Sequence, residues 1–106
     1  MAQRKENSFG SFKSAVRILR EELPPSLPVL VKRCETGSDS TGDCSKTEKR
    51  FIIRVSDTLH DDAAILILFH EWAHAISWES KFMPGDHHVI WGIAYSLVWK
   101  TWLANI

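Results

Sequence analysis

The sequence predicts an α+β fold: an N-terminal helix, a small antiparallel sheet, a central helix bearing a His-Glu-x-x-His motif, and a C-terminal helix. Three observations predict it. Apolar residues recur at helical spacing near the N-terminus and again through the second half of the chain. Two valine- and isoleucine-rich runs of strand length lie between those helical segments. Proline, glycine or polar clusters separate the segments from one another. At 106 residues there is enough chain for one modest core, so residues 1–106 are expected to form a single domain.

Residues 8–22 read as an amphipathic helix, with Phe9, Phe12, Val16, Leu19 and Leu23 recurring at three- and four-residue steps, and Pro24-Pro25 ends it. Pro28 to Cys34 (PVLVKRC) reads as a strand, entered by a proline that suits an edge or a first position. Glu35 to Lys49 holds Gly37, Gly42 and many Ser, Thr and Asp residues, the composition of a loop or long hairpin tip. Arg50 to Ser56 (RFIIRVS) is the second strand, expected to run antiparallel to the first. Asp57 to Asp62 supplies the cap and acidic first turn of the central helix, expected over 61–79.

On that helix Leu66, Phe69, Ala73 and Ile76 form one apolar stripe, and Ala63, Ile67, His70, His74 and Trp78 form its neighbour. A helix apolar on most sides is expected to be buried on most sides. Met83-Pro84-Gly85 breaks the chain, and a last helix is expected from Asp86 to Leu103, with Trp91, Tyr95, Trp99 and Trp102 stacked along it. The tryptophans read as core, with an exposed patch at Trp99 and Trp102 the alternative.

Lys plus Arg and Asp plus Glu number 13 each, so no global field draws the chain to nucleic acid or anionic lipid. Arg4, Lys5, Lys13, Arg17 and Arg20 gather at the N-terminal end, where they read as the solvated face of a helix. No secretory leader is expected, because Gln3 to Asn7 are polar and charged. The longest apolar stretch, Val89 to Trp99, has eleven residues and is interrupted by Gly92 and Ser96. That is well short of the ~18 a membrane span needs. The expected compartment is the cytoplasm, that of the host if the chain is phage-encoded. Cys34 and Cys44 are expected there as free thiols, and two cysteines make no zinc ribbon.

The motif with most chemical content is His70-Glu71-Trp72-Ala73-His74. Residues four apart share a helix face, so His70 and His74 can close on one ion. Glu71 lies one residue round, where its carboxylate can take a proton from a water without ligating the metal. A catalytic zinc site uses three protein ligands, and the third can be sought by elimination. Six residues after His74 stands Ser80, and three after it Ser77, so the metzincin pattern is excluded. The last glutamate is Glu79, only five residues beyond His74, which argues against a thermolysin-type ligand from a later helix. Asp86, His87 and His88 remain; His87 is preferred, with His88 and Asp86 as alternatives.

Leu68 to Ala75, followed by Asp86-His87, Trp91-Gly92 and Ala94-Tyr95, resembles the SprT-like zincin group. The likeness is to its small metallopeptidases of phages and bacteria, whose pattern runs HEWAHA, a short turn, then D-H-x-x-x-W-G-x-A-Y. The preceding strand with its arginine pair and the acidic helix start are also similar, so the likeness covers roughly residues 50–100. It implies a zincin-like α+β fold, zinc held by His70, His74 and His87, Glu71 as general base, and hydrolysis of a peptide or protein substrate. His88 departs from the pattern, standing where such proteins often have glycine. No zinc ribbon or DNA-binding tail is read in these residues, so the DNA–protein crosslink repair of longer relatives does not transfer.

Tyr95 and His88 are further candidates for oxyanion stabilisation, although Tyr95 falls within an apolar stripe and reads first as packing. A substrate is expected to lie extended along a strand edge beside the active helix, and either strand can serve. Three alternatives stand beside the peptidase: an inactive zinc-binding module, a host-factor interaction protein on the same fold, and an amide hydrolase acting on a nonpeptide substrate.

Overall fold

The computed structural model describes residues 10–79 and 89–106. Its elements are α1 (Phe12–Glu22), β1 (Val29–Cys34), β2 (Gly42–Lys46), β3 (Phe51–Ser56), α2 (Asp61–Ile76) and α3 (Val89–Ala104). They make a small α+β unit in which the three strands form one mixed sheet, in the order β1-β3-β2. Among the described residues no helix is long and apolar enough to cross a membrane.

Local chemistry sets the helix ends. Ser11 caps α1, its hydroxyl accepting from Ser14 N at 3.0 Å. α2 begins after His60, whose side chain makes no cap bond, and carries Asp61 and Asp62 in the first turn, where carboxylates favour the positive end of the helix dipole. Asp61 does more: its carboxylate accepts from the amide of Phe12 at 3.3 Å and faces Arg33 at 3.7 Å, joining the starts of α1 and α2 to β1.

The sheet differs from the expectation in two ways. The strand at 29–34 pairs with that at 51–56 in parallel, Val29 opposite Phe51 through Cys34 opposite Ser56. The antiparallel partner of β3 is instead β2, which lies inside the segment expected to be loop. The reason is the tight turn at Thr47–Arg50. Thr47 N donates to Arg50 O at 2.8 Å, and the Thr47 hydroxyl accepts from the amides of Lys49 and Arg50 at 3.1 Å. That turn folds β2 back on β3 as a hairpin, and β1 adds to the hairpin's other side. The Asp43 carboxylate meets the Arg54 guanidinium directly across the pair, locking the register on the outer face.

The core lies on the sheet's inner face. Phe51, Ile53 and Val55 alternate along β3 and are fully buried beneath Ile65, Leu68 and Trp72 of α2 and Leu19 of α1. α3 packs across α2 through Trp99 and Trp102, whose rings meet Phe69 edge-on at centroid distances of 4.9 and 5.9 Å. Trp102 is buried and Trp99 half-buried, so the core reading holds for these two and the exposed-patch alternative does not, whereas Trp78, beyond the end of α2, is exposed. Of the stripe expected on α2, Phe69 and Ala73 are buried, whereas Leu66 faces outward because the burying neighbours lie on the Ile65–Leu68–Trp72 side.

Candidate metal centre

α2 crosses from the end of β3 back over the sheet, and its C-terminal half presents His70 and His74 towards α3. Their rings stand 5.0 Å apart, centroid to centroid, at 66°. Two imidazoles sharing one tetrahedral zinc at the usual Zn–N length lie about 5 Å apart by the same measure. Both side chains are half-buried, so the pair is reachable from outside yet walled on most sides.

Glu71 turns the other way, towards β2, and is buried with 7% of its surface exposed. Its carboxylate nevertheless stays in reach of the pair, Oε2 lying 4.0 Å from His70 Nε2. A carboxylate so placed can orient an imidazole or accept a proton beside it.

The aromatic wall comes from α3. Trp91 lies against both imidazoles, with centroids 5.0 Å from His70 and 5.5 Å from His74, and its indole N–H donates to the His70 carbonyl at 3.3 Å. Tyr95, one turn on, stacks on Trp91 at 4.9 Å and 12° and reaches His70 at 6.5 Å. Tyr95 is therefore a second layer behind Trp91 as well as a ring near the site.

The opposite wall is β2, which the sequence reading missed. Gly42 permits a close approach there: a Cβ at that position would stand 2.5 Å from Ile67 Cγ2 and 2.8 Å from the Arg54 carbonyl, with Glu71 Cγ at 3.8 Å. Cys44, two residues on and on the same face, has its thiol pushed up to about 12 by burial first and then by the charges of Glu71 and Asp43. Its contact with the Glu71 charge had no signal in the sequence, because nothing in Gly42-Asp43-Cys44-Ser45-Lys46 alternates apolar with polar. Cys34 and Cys44 are both free and sit on either side of β3. They are two strand spacings apart across the sheet, about 10 Å, and offset by three residues along β3, Cys34 lying opposite Ser56 and Cys44 opposite Ile53, beyond disulfide reach.

His87 and its alternatives His88 and Asp86 lie outside the described residues. Among the described residues no group of three His, Cys, Asp or Glu side chains is placed to hold a metal, so Glu79 does not complete the pair. No protein-family model, curated protein or solved structure matches the chain.

Proposed function

We propose that the chain is a zinc-dependent metallopeptidase of zincin type, with zinc held by His70, His74 and His87 and with Glu71 as general base. The observation that carries this reading is the 5.0 Å imidazole pair with the buried Glu71 carboxylate 4.0 Å from it. The donor chemistry fits zinc, two neutral imidazoles being standard ligands in catalytic sites. Trp91 follows Asp86-His87-His88 by three to five residues in the chain and rests on both imidazoles, which supports a third ligand from that group, His87 being the choice.

Zinc bound there would supply a Lewis acid for the scissile carbonyl and favour ionisation of a water at neutral pH. Glu71 takes the proton of the attacking water and passes it to the leaving amine. Burial beside Cys44 keeps that carboxylate from bulk solvent, and Trp91 holds the imidazole face in place. The substrate lies extended along the outer edge of β2, the edge strand that packs on α2 beside Glu71.

The test is hydrolysis of fluorescein-labelled casein together with zinc content by mass spectrometry. Glu71→Gln keeps zinc and loses about 100-fold or more in rate. His70→Ala, His74→Ala and His87→Ala lose zinc and activity together. Full hydrolysis by Glu71→Gln ends the base assignment, and undiminished zinc in His87→Ala moves the third ligand to His88 or Asp86.

A further inference from the structure

Away from the imidazole pair, a groove of about 500 Å³ opens between α1 and β1. Its floor is apolar, made by Phe12, Val16 and Val31. Its rim is basic: Lys13, Arg17 and Arg20 line it from one face of α1, against a single acid, Glu21, which pairs with Arg17 at 3.5 Å on the exposed helix surface, where such a pair is weak and readily exchanged for another carboxylate. Arg33 also borders the groove, but its charge is already matched by Asp61 and its guanidinium donates to the carbonyls of Ser56 and Leu59 at 3.2 and 2.6 Å. The excess positive charge therefore sits on α1.

The groove runs beside a free strand edge. β1 is the outer strand, and its main chain alternates in direction. Pro28 O accepts from Phe51 N and Cys34 O from Asp57 N, so the even-numbered residues turn towards β3. Val29, Val31 and Arg33 turn the opposite way, and Arg20 Nη2 donates to Val29 O at 2.8 Å on that side. The main-chain groups of Val31 and Arg33 have no partner among the described residues.

We propose that this groove binds an extended, acidic segment of a protein partner, which adds to β1 as a fourth strand. Main-chain bonds to Val31 and Arg33 supply the pairing, and carboxylates on alternate residues meet the α1 cations. The spacing agrees. Lys13 and Arg17 are about 6 Å apart along the helix axis. Alternate residues of a strand are about 6.7 Å apart. A nucleic acid would use the charge but neither the apolar floor nor the strand edge. The proposal does not depend on the zinc reading, since β1 lies on the far side of β3 from β2.

The probe is a fluorescein-labelled ten-residue peptide of alternating glutamate and valine, followed by anisotropy with metal-free protein. Saturable binding is expected, weakened about tenfold or more in the double variant Lys13→Glu, Arg17→Glu. Val31→Pro weakens it as much, because that N–H lies outside the β1–β3 ladder and proline suits an edge. A peptide N-methylated at its valines repeats the same test on the ligand, whether or not Val31→Pro folds. Absence of binding overturns the proposal, as does equal binding of the N-methylated peptide or of a lysine-valine peptide. Displacement by a ten-nucleotide thymidine oligomer at equal concentration overturns it too, assigning the groove to phosphates.

Discussion

Two buried tryptophans differ by one hydrogen bond. Trp72 donates its indole N–H to the Leu23 carbonyl at 2.8 Å, tying α2 to the end of α1. Trp102 is equally enclosed, yet its Nε1 has no partner among the described residues. Phenylalanine at either position sheds similar volume, so the packing loss is comparable, whereas only Trp72→Phe discards a made bond. Trp72→Phe is expected to cost about 1–2 kcal/mol more than Trp102→Phe, read from urea midpoints at constant m-value. Equal losses would mean that the Trp72 bond contributes nothing. Cys44 gives a second residue-scale prediction. Burial and neighbouring carboxylates hold its thiol near 12 against an ordinary 9.0, so the folded protein keeps a proton that the unfolded chain releases above pH 9. Stability contributed by that thiol is complete below pH 9 and falls as pH rises towards 12. Cys44→Ala is expected to flatten that decline, and iodoacetamide at pH 8.5 should label Cys34 well before Cys44. Faster labelling of Cys44 would contradict the burial that raises it.

At the scale of elements, β2 decides how closely the sheet approaches the motif helix. Gly42→Ala puts a Cβ into Ile67 and into the Arg54 carbonyl at once. Truncating Ile67 relieves only the first contact, since the second is main chain. Gly42→Ala is therefore expected to destabilise by about 1–3 kcal/mol, with little rescue from an added Ile67→Ala, as thermal unfolding would show. Full rescue would locate the tightness in the side chain alone. This strand is also where sequence reasoning stopped. α1, β1, β3 and α2 announce themselves by period: Phe12, Val16 and Leu19 for a helix, Phe51, Ile53 and Val55 for a strand. β2 is written in glycine, aspartate, serine and lysine, residues that avoid strands in isolation. What makes it a strand is tertiary: the Thr47 turn, the Asp43–Arg54 pair, and α2 pressing on Gly42. With 35–49 loop-like in composition, β1 is the only partner the sequence offers β3, and antiparallel pairing of successive strands is the default. His70, Glu71 and His74 were legible because one helix carries all three at fixed spacing. Trp91 over the imidazoles was not, because that contact joins separate helices.

For the molecule as a whole, the proposed centre bears on stability as well as activity. α3 touches α2 through Trp91, Tyr95, Trp99 and Trp102, and the half of that interface beside the imidazoles is also where metal would bind. An ion that binds the folded chain and not the unfolded one stabilises by mass action, by about 2.7 kcal/mol at a free concentration 100 times its dissociation constant. For a domain of this size that corresponds to a rise of about 10–20 °C in the unfolding midpoint. The expected series is specific. Zinc raises the midpoint of the native protein, EDTA reverses the rise, and His70→Ala or His74→Ala abolishes it. Glu71→Gln retains the rise, because its carboxylate is assigned to the proton and not to the ion. Those variants separate two questions that an activity assay merges: whether the imidazole pair holds metal, and whether the chemistry beside it runs through Glu71. A midpoint indifferent to zinc would remove the metal from the reading, whereas a zinc-dependent midpoint in a protein that cleaves nothing would leave a structural ion and an inert carboxylate.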